Sequence, residues 1–354
     1  MMKRKANRWL RLIALALACL TLASCGAKPQ GNASAGILPT ASAAERPDPN
    51  VKTSGVGFYF DTVVTVTLWG APEGLMEQIW AECTRYEQML SKTIVTSDVG
   101  RINAAAGKPV TVHPETWAIL QKAKEISALS GGAFSITIAP VTALWSFTGM
   151  TTNTVPTDEA RLAAVALVDD QQIILGDNYT VTIPVGMQID LGGIAKGYIA
   201  DKVADLIRHQ AYAGIVSLGG NVYTVGQKPN GDPFSVGIAD PNHSSQYMAI
   251  IYTGDGTVVT SGTYERGFSF GGVRLHHILD PETGWPAQSD LLSATFVMKS
   301  SMEADAMATA CIVLGSEKAL ELANSQGLDA VFIKTDGTVL FTDGFAEKYN
   351  YRTP

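Results

Sequence analysis

Apolar and polar residues alternate through "FYFDTVVTVTLWG", residues 58–70, with Val64, Val66 and Leu68 on one side and Thr65 and Thr67 on the other. That period of two predicts a half-buried strand. The period then lengthens: Leu75, Ile79, Cys83, Tyr86 and Leu90 recur at helical spacing and stop near Ser91. "SDVGRINAAAG" reads as a loop and short helix closed by Gly107, and Pro114 opens a helix that runs through Trp117 and Leu120 to Gly131-Gly132. Thr157-Asp158-Glu159 starts another, with its acids in the first turn. "QQIILGDNYTVTIP" has the pattern of a hairpin around Gly176-Asp177-Asn178. Ile189–Gly193 is predicted as a strand end and Ile194–His209 as a helix.

Beyond that helix, "GIVSLGGNVYTVG", "FSVGIADP", "YMAIIYTGDGTVVTSG" and "GFSFGGVRLHHILD" read as strands punctuated by Gly, Asp and Pro. Two late helices, near Met302–Leu314 and Glu317–Gln326, precede a hairpin at Asp336-Gly337. Hairpins with helices interspersed predict an α+β fold of mostly antiparallel sheets. About 300 residues suit one large domain or two lobes around a cleft.

The first residues depart from this pattern. "MMKRKANRWLRL" carries five basic and no acidic residues, and the apolar run "LIALALACLTLA" is too short to span a bilayer comfortably. The run ends in "LASC", Leu22 to Cys25, which resembles a bacterial lipobox. The expectation is a signal peptide over 1–24, cleavage before Cys25 and lipidation of that cysteine; an uncleaved anchor is the plainer alternative. Residues 25–54, rich in Ala, Ser, Gly and Pro, read as a tether, and 55–354 as the folded domain. In either case that domain is expected outside the cytoplasm, held at a membrane.

Setting the leader aside leaves 21 basic against 33 acidic residues, a net charge of −12, which argues against a nucleic-acid-binding face. Any phosphate must be held locally, by metal, backbone and one or two lysines. Cys83 and Cys311 lie on apolar helical faces and read as packing residues, not as a disulfide or metal cluster.

Three stretches carry candidate chemistry. In "IDLGGIAKGY", residues 189–198, Gly192 and Gly193 would let a ligand approach the backbone, and Lys196 adds a mobile positive charge. It fits neither a P-loop nor a dinucleotide fingerprint, so a purely structural strand-to-helix turn reads equally well. In "SSMEADAMATACIVLG", Asp305 and Thr309 are four apart on a predicted helix, so a carboxylate and a hydroxyl share one face. That pair suits a hard cation such as Mg²⁺, although such spacing is common on solvated helices. In "RLHHILDPETGWPA", His276 and His277 point to opposite faces of a strand, and a satisfied structural histidine is the default for either.

Together, "IDLGGIAKGYIAD", "GIVSLGGNVYTVG", "VVTSGTYERGF", "LHHILDPETGWPA" and "EADAMATACIVLG" resemble, in order and spacing, the motifs of the FAD:protein FMN transferases, the ApbE-type flavin transferases. "YFDTVVTVTL" and "GGAFSITIAPVTALW" are similar to the family's opening strand and its "GAFD…P…LW" segment. The resemblance implies Mg²⁺-dependent cleavage of FAD, transfer of FMN to a threonine or serine hydroxyl of an acceptor protein, and release of AMP. It implies metal ligation by the Gly193 carbonyl, Asp305 and Thr309. It implies contacts to FAD from Phe60, Ala133, Phe134, Ser135, Asp190, Lys196 and the backbone of Ile278. His277 matches the family's functionally important histidine, here the candidate for assisting deprotonation with a pKa near neutrality. Lys196 would neutralise charge as AMP departs.

Family acceptors carry a Ser/Thr-Gly-Ala-Ser/Thr-type motif. The nearest stretch here, "LSGGAFS", has an extra glycine, so the acceptor is expected to be another protein, an electron-transfer flavoprotein subunit. Two positions depart from the family pattern: Ser135 stands where Asp is usual, and Asp61 where Gly is usual. The residues also allow an FAD pyrophosphatase yielding FMN and AMP, or a lipoprotein that binds FAD without turnover.

Overall fold

Sheet order follows chain order almost without exception. A computed structural model describes residues 47–147, 154–241 and 243–349. Eight strands of these residues form the main sheet: β1 (Lys52–Tyr59), β2 (Thr62–Trp69), β3 (Ala213–Leu218), β4 (Asn221–Val225), β5 (Gly256–Gly262), β6 (Leu291–Met298), β7 (Asp329–Lys334) and β8 (Val339–Phe341). Each is antiparallel to the next. The α+β class with antiparallel sheets is therefore as expected, and residues from Pro47 onward belong to one compact unit. The leader and Cys25 lie outside the described residues.

Alternation along the strands sorts side chains into two cores. Val64, Val66, Leu68, Val259, Phe296 and Phe332 face one way, into the large core. That core is covered by α1 (Leu75–Leu90), α3 (Ala195–Gln210) and α4 (Ser301–Leu314), with α2 (Pro114–Leu129) beside them. Their neighbours Val258, Val297 and Val331 face the other way, against Val236, Ile238 and Ile251 of a two-stranded ribbon, Phe234–Asp240 with His243–Thr253. Each fully buried large apolar side chain contributes about 1.5–3 kcal/mol. Cys83 and Cys311 are free thiols inside the large core, as their apolar faces predicted.

A third apolar cluster positions the site. Val141 and Trp145 pack with Phe268, Leu275 and Leu279, tying the hairpin Gly267–Phe270/Val273–His276 to the segment after α2. The hairpin that ends in His276 is thereby tied to the segment that follows "GAFS".

Three expectations are corrected. "FYFDTVV" is not one strand: Phe58 and Tyr59 end β1, which starts at Lys52, inside the stretch read as tether. Phe60 and Asp61, both with φ of 56°, form the two-residue turn into β2. A turn with positive φ at both positions favours Gly, Asn or Asp, which explains how Asp61 serves where Gly is usual. Ile189–Gly193 belongs to no strand. Its apolar residues are buried, but its backbone is held outside any sheet: the Asn103 side chain accepts Ile189 N–H (2.7 Å) and donates to the Ile189 carbonyl (2.9 Å), and Asp190 N–H reaches the Ile136 carbonyl (2.7 Å).

The crossing of α3 and α4 is unusually close. A methyl group on Gly197 would sit 2.1 Å from the Ser301 carbonyl oxygen. One turn on, the Asp201 carboxylate of α3 accepts from Ser301 N–H (2.6 Å) and Met302 N–H (3.0 Å), capping α4 from outside its own chain segment.

Candidate active site

The glycine bend comes together with the distant carboxylate–hydroxyl pair. A methyl group on Gly193 would lie 3.6 Å from Thr309 Oγ1 and 3.2 Å from the Phe134 ring. Lys196, on the first turn of α3, reaches back to the Gly192 carbonyl (3.0 Å) and across to Asp305 Oδ1 (3.3 Å). Asp305 is only 3% exposed and also accepts from Gly197 N–H at 3.1 Å. Thr309 donates to the Asp305 carbonyl at 3.1 Å, and its hydroxyl lies 3.4 Å from Ser261 Oγ. Because α3 and α4 touch backbone to backbone at Gly197, these groups sit on a rigid junction.

The donor set fits a hard cation. Backbone oxygen, carboxylate and hydroxyl are all oxygen ligands, and the Lys196 ammonium already bridges the Gly192 carbonyl and Asp305, so the spot attracts positive charge. Among the described residues no group of three or more His, Cys, Asp or Glu gathers as a metal cluster. A cation here would lean on Asp305 as its main anionic ligand.

Asp190 closes the bend on itself, accepting Gly192 N–H at 2.9 Å, and pairs with Lys92 at 2.6 Å. Ala133, Phe134 and Ser135 follow α2 through Gly131 and Gly132, both with positive φ. The Ser130 hydroxyl accepts Phe134 N–H at 3.1 Å. Beside Ser135, where Asp is usual, stands another carboxylate. Buried Asp170 accepts from Ser135 Oγ (2.6 Å), Thr137 Oγ1 (2.7 Å), Ile136 N–H (3.0 Å) and Thr137 N–H (3.0 Å). A second carboxylate at position 135 would meet Asp170 head-on.

Phe60 sits in the β1–β2 turn with its N–H donated to Glu87 at 2.8 Å. A bulky residue at positive φ is a strained placement that surrounding contacts must enforce. Arg266 donates to the Asp61 carbonyl at 3.4 Å, while its own carbonyl accepts His277 N–H at 3.2 Å. The turn and the histidine are thus joined through one residue. His276 is buried with its Nε2 3.1 Å from the Ala287 carbonyl, but its Nδ1 is buried without a partner, so it is only half satisfied as a structural histidine. The Ile278 carbonyl accepts Ala287 N–H at 2.9 Å, so any contact from that backbone uses its N–H or the remaining lone pair.

The near-neutral pKa expected of His277 is corrected. Burial, with the positive charges of Arg266 and Lys196 adding to it, pushes His277 down to about 4. The imidazole is therefore neutral across the physiological range and carries a free lone pair. The expected pH–rate profile between 5 and 8 shows no inflection from this group; a step near 6.5 that disappears in His277→Gln would contradict the assignment.

Sequence reasoning passed over several neighbours: Lys92, Asp170, Ser261, Arg266 and Glu265. Glu265 reaches solvent, yet burial raises its pKa above the usual carboxylate range, with Lys196 and Arg266 opposing and Asp305 adding to the rise. The motif "TSGTYER" was the available signal for three of them; Lys92 and Asp170 carried none. A cavity of about 470 Å³ lined by residues such as Asp255, Lys299 and Tyr349 shares no residue with this cluster.

The ApbE family's sequence profile matches residues 60–332, a span that holds every wall just described. The chain belongs to the ApbE family. Two relatives named FAD:protein FMN transferase are similar over most of their length. That of Treponema pallidum is 37% identical over 293 residues, covering 77% of this chain and 80% of the relative. That of Klebsiella pneumoniae is 36% identical, covering 79% and 88%. The crystal structure of the ApbE protein from Thermotoga maritima superimposes with a TM-score of 0.78 at 30% identity, over 84% of this chain and 99% of that one.

Proposed function

We propose that this chain is an FAD:protein FMN transferase that moves the FMN part of FAD onto a Ser or Thr hydroxyl of an acceptor protein and releases AMP. The observation that carries the reading is the junction at Gly193, where Phe134, Thr309, Asp305 and Lys196 converge in a member of the ApbE family.

In the balanced reaction the acceptor oxygen bonds to the flavin-side phosphorus, the P–O–P bridge breaks, and the bridging oxygen leaves on AMP. Mg²⁺, held by Asp305, Thr309 and the Gly193 carbonyl, would supply charge neutralisation and polarisation of the phosphoryl group. Lys196 lies close enough to the same carboxylate to offset charge on the departing phosphate. His277 Nδ1 is 3.4 Å from the Arg266 carbonyl; donating its proton there leaves Nε2 to take the hydroxyl proton. Part-buried Phe60 offers an apolar surface for the flavin or adenine ring, while Phe134 backs the Gly193 bend from within the core.

The acceptor is expected to present a Ser/Thr-Gly-Ala-Ser/Thr-type motif on an extracytoplasmic electron-transfer subunit. The chain itself would work at a bacterial membrane face, lipidated at Cys25. Among the described residues no helix is long and apolar enough to cross a membrane.

The test is incubation with FAD, Mg²⁺ and a motif-bearing acceptor, followed by denaturation and in-gel flavin fluorescence alongside AMP analysis. The expected result is covalent flavin on the acceptor, with AMP in equal amount and only when Mg²⁺ is present. FMN and AMP appearing with no covalent flavin would mean hydrolysis, and bound FAD without AMP would mean storage.

A further inference from the structure

Asn221 opens β4 immediately after Gly219 and Gly220, both at positive φ, and is 1% exposed. Its side-chain Nδ2 is buried without a hydrogen-bond partner. A buried donor left unsatisfied destabilises the fold, and an apolar residue of the same size would avoid that cost. The fold gives no reason for an amide here, since Asn221 pairs with Leu218 of β3 and Val259 of β5, both core residues.

Register and parity locate the side chain. Asn221 shares a strand face with Tyr223 and Val225, which belong to the core under α3 and α4. Two residues beyond Val259 on that face of β5 stands Ser261, 3.4 Å from Thr309 Oγ1. The helix α3 and strand β3 run in opposite senses over comparable lengths, ~24 Å and ~20 Å at standard rises. The Gly219–Asn221 turn therefore lies level with the start of α3, where Lys196 sits. A methyl group on Gly220 would be 3.9 Å from Glu265 Oε1, and Glu265 feels the charges of Lys196 and Asp305.

We infer that Asn221 is a further substrate-binding residue, whose Nδ2–H donates to a phosphate oxygen of the dinucleotide held beside Gly193 and Lys196. The contact adds a neutral donor on the floor of a site otherwise governed by charge. It orients the diphosphate without drawing the protein toward other polyanions. This rests on the FAD-dependent reading above.

The experiment compares wild type, Asn221→Leu and the smaller Asn221→Ser in three measurements: FAD binding by fluorescence titration, FMN transfer kinetics, and melting temperature without FAD. For Asn221→Leu the expected result is FAD affinity weaker by on the order of tenfold, seen as a raised KM for FAD. Its Mg²⁺ requirement should be unchanged and its ligand-free melting temperature equal or higher. Asn221→Ser shows the same loss of affinity and keeps the proposal testable if the leucine variant packs badly. Wild-type FAD affinity in both variants overturns it. So does a lowered ligand-free melting temperature with unchanged KM, which marks a purely structural amide. If wild type binds FAD but transfers nothing, the transfer reading fails while the binding comparison still decides Asn221.

Discussion

Asp305→Ala is expected to lower Mg²⁺-dependent FMN transfer by at least about 100-fold, the upper range for losing even an outer-sphere partner of a metal site. The carboxylate is the acidic member of the donor set that the structure gathers at the glycine bend, and it is almost wholly buried. Its removal also strips Lys196 of its anionic partner and Gly197 N–H of its acceptor. Asp305→Asn separates these roles, because it keeps the volume and one acceptor while discarding the charge. Transfer rates measured against Mg²⁺ concentration should show both variants failing to saturate where wild type does. Wild-type rates for Asp305→Ala at ordinary Mg²⁺ would remove the carboxylate from the mechanism.

The second large effect is structural. Gly197→Ala is expected to destabilise the protein by about 2 kcal/mol or more, although alanine is the better helix former by about 1 kcal/mol. The added Cβ would lie 2.1 Å from the Ser301 carbonyl oxygen, 2.5 Å from its carbon and 2.7 Å from Met302 Cα. All three are backbone atoms, so no side chain can swing away. The helices must part, and Lys196 and Asp305 are carried apart with them, so transfer should fall further than stability alone accounts for. Urea denaturation at unchanged slope measures the first effect, and transfer at a temperature where both proteins are folded measures the second. An unchanged midpoint would show that the crossing is looser than its backbone contacts indicate.

What the sequence disclosed and withheld follows from the range of the interactions. The inward face Val64, Val66 and Leu68 was legible because strand alternation is local. The Asp305–Thr309 pair was legible because one helical turn places both on a face. The Phe60–Asp61 turn was not, since a phenylalanine at positive φ contradicts its own preference and is enforced by Glu87 and Arg266 from elsewhere. Ile189–Gly193 has the apolar character of a strand but finds its partners in the distant Asn103 side chain and the Ile136 carbonyl instead of a neighbouring strand. Lys92 meets Asp190 across 98 positions and Ser135 meets Asp170 across 35, distances at which residue spacing carries no signal. The tuning of His277 depends on burial and on charges brought in by other segments, so its type alone suggested the wrong protonation range.

The sheet's sequential order has a kinetic corollary. Most strands meet a partner close by in the chain, but Trp69 pairs with Ala213 only after a detour that includes α1, α2, the Phe134 segment and the glycine bend. Closing that gap is the costliest loop in the assembly. The β1–β2 pair therefore joins the other six strands of the sheet only across this detour, and damage within it should surface as poor yield of folded protein as readily as lost turnover.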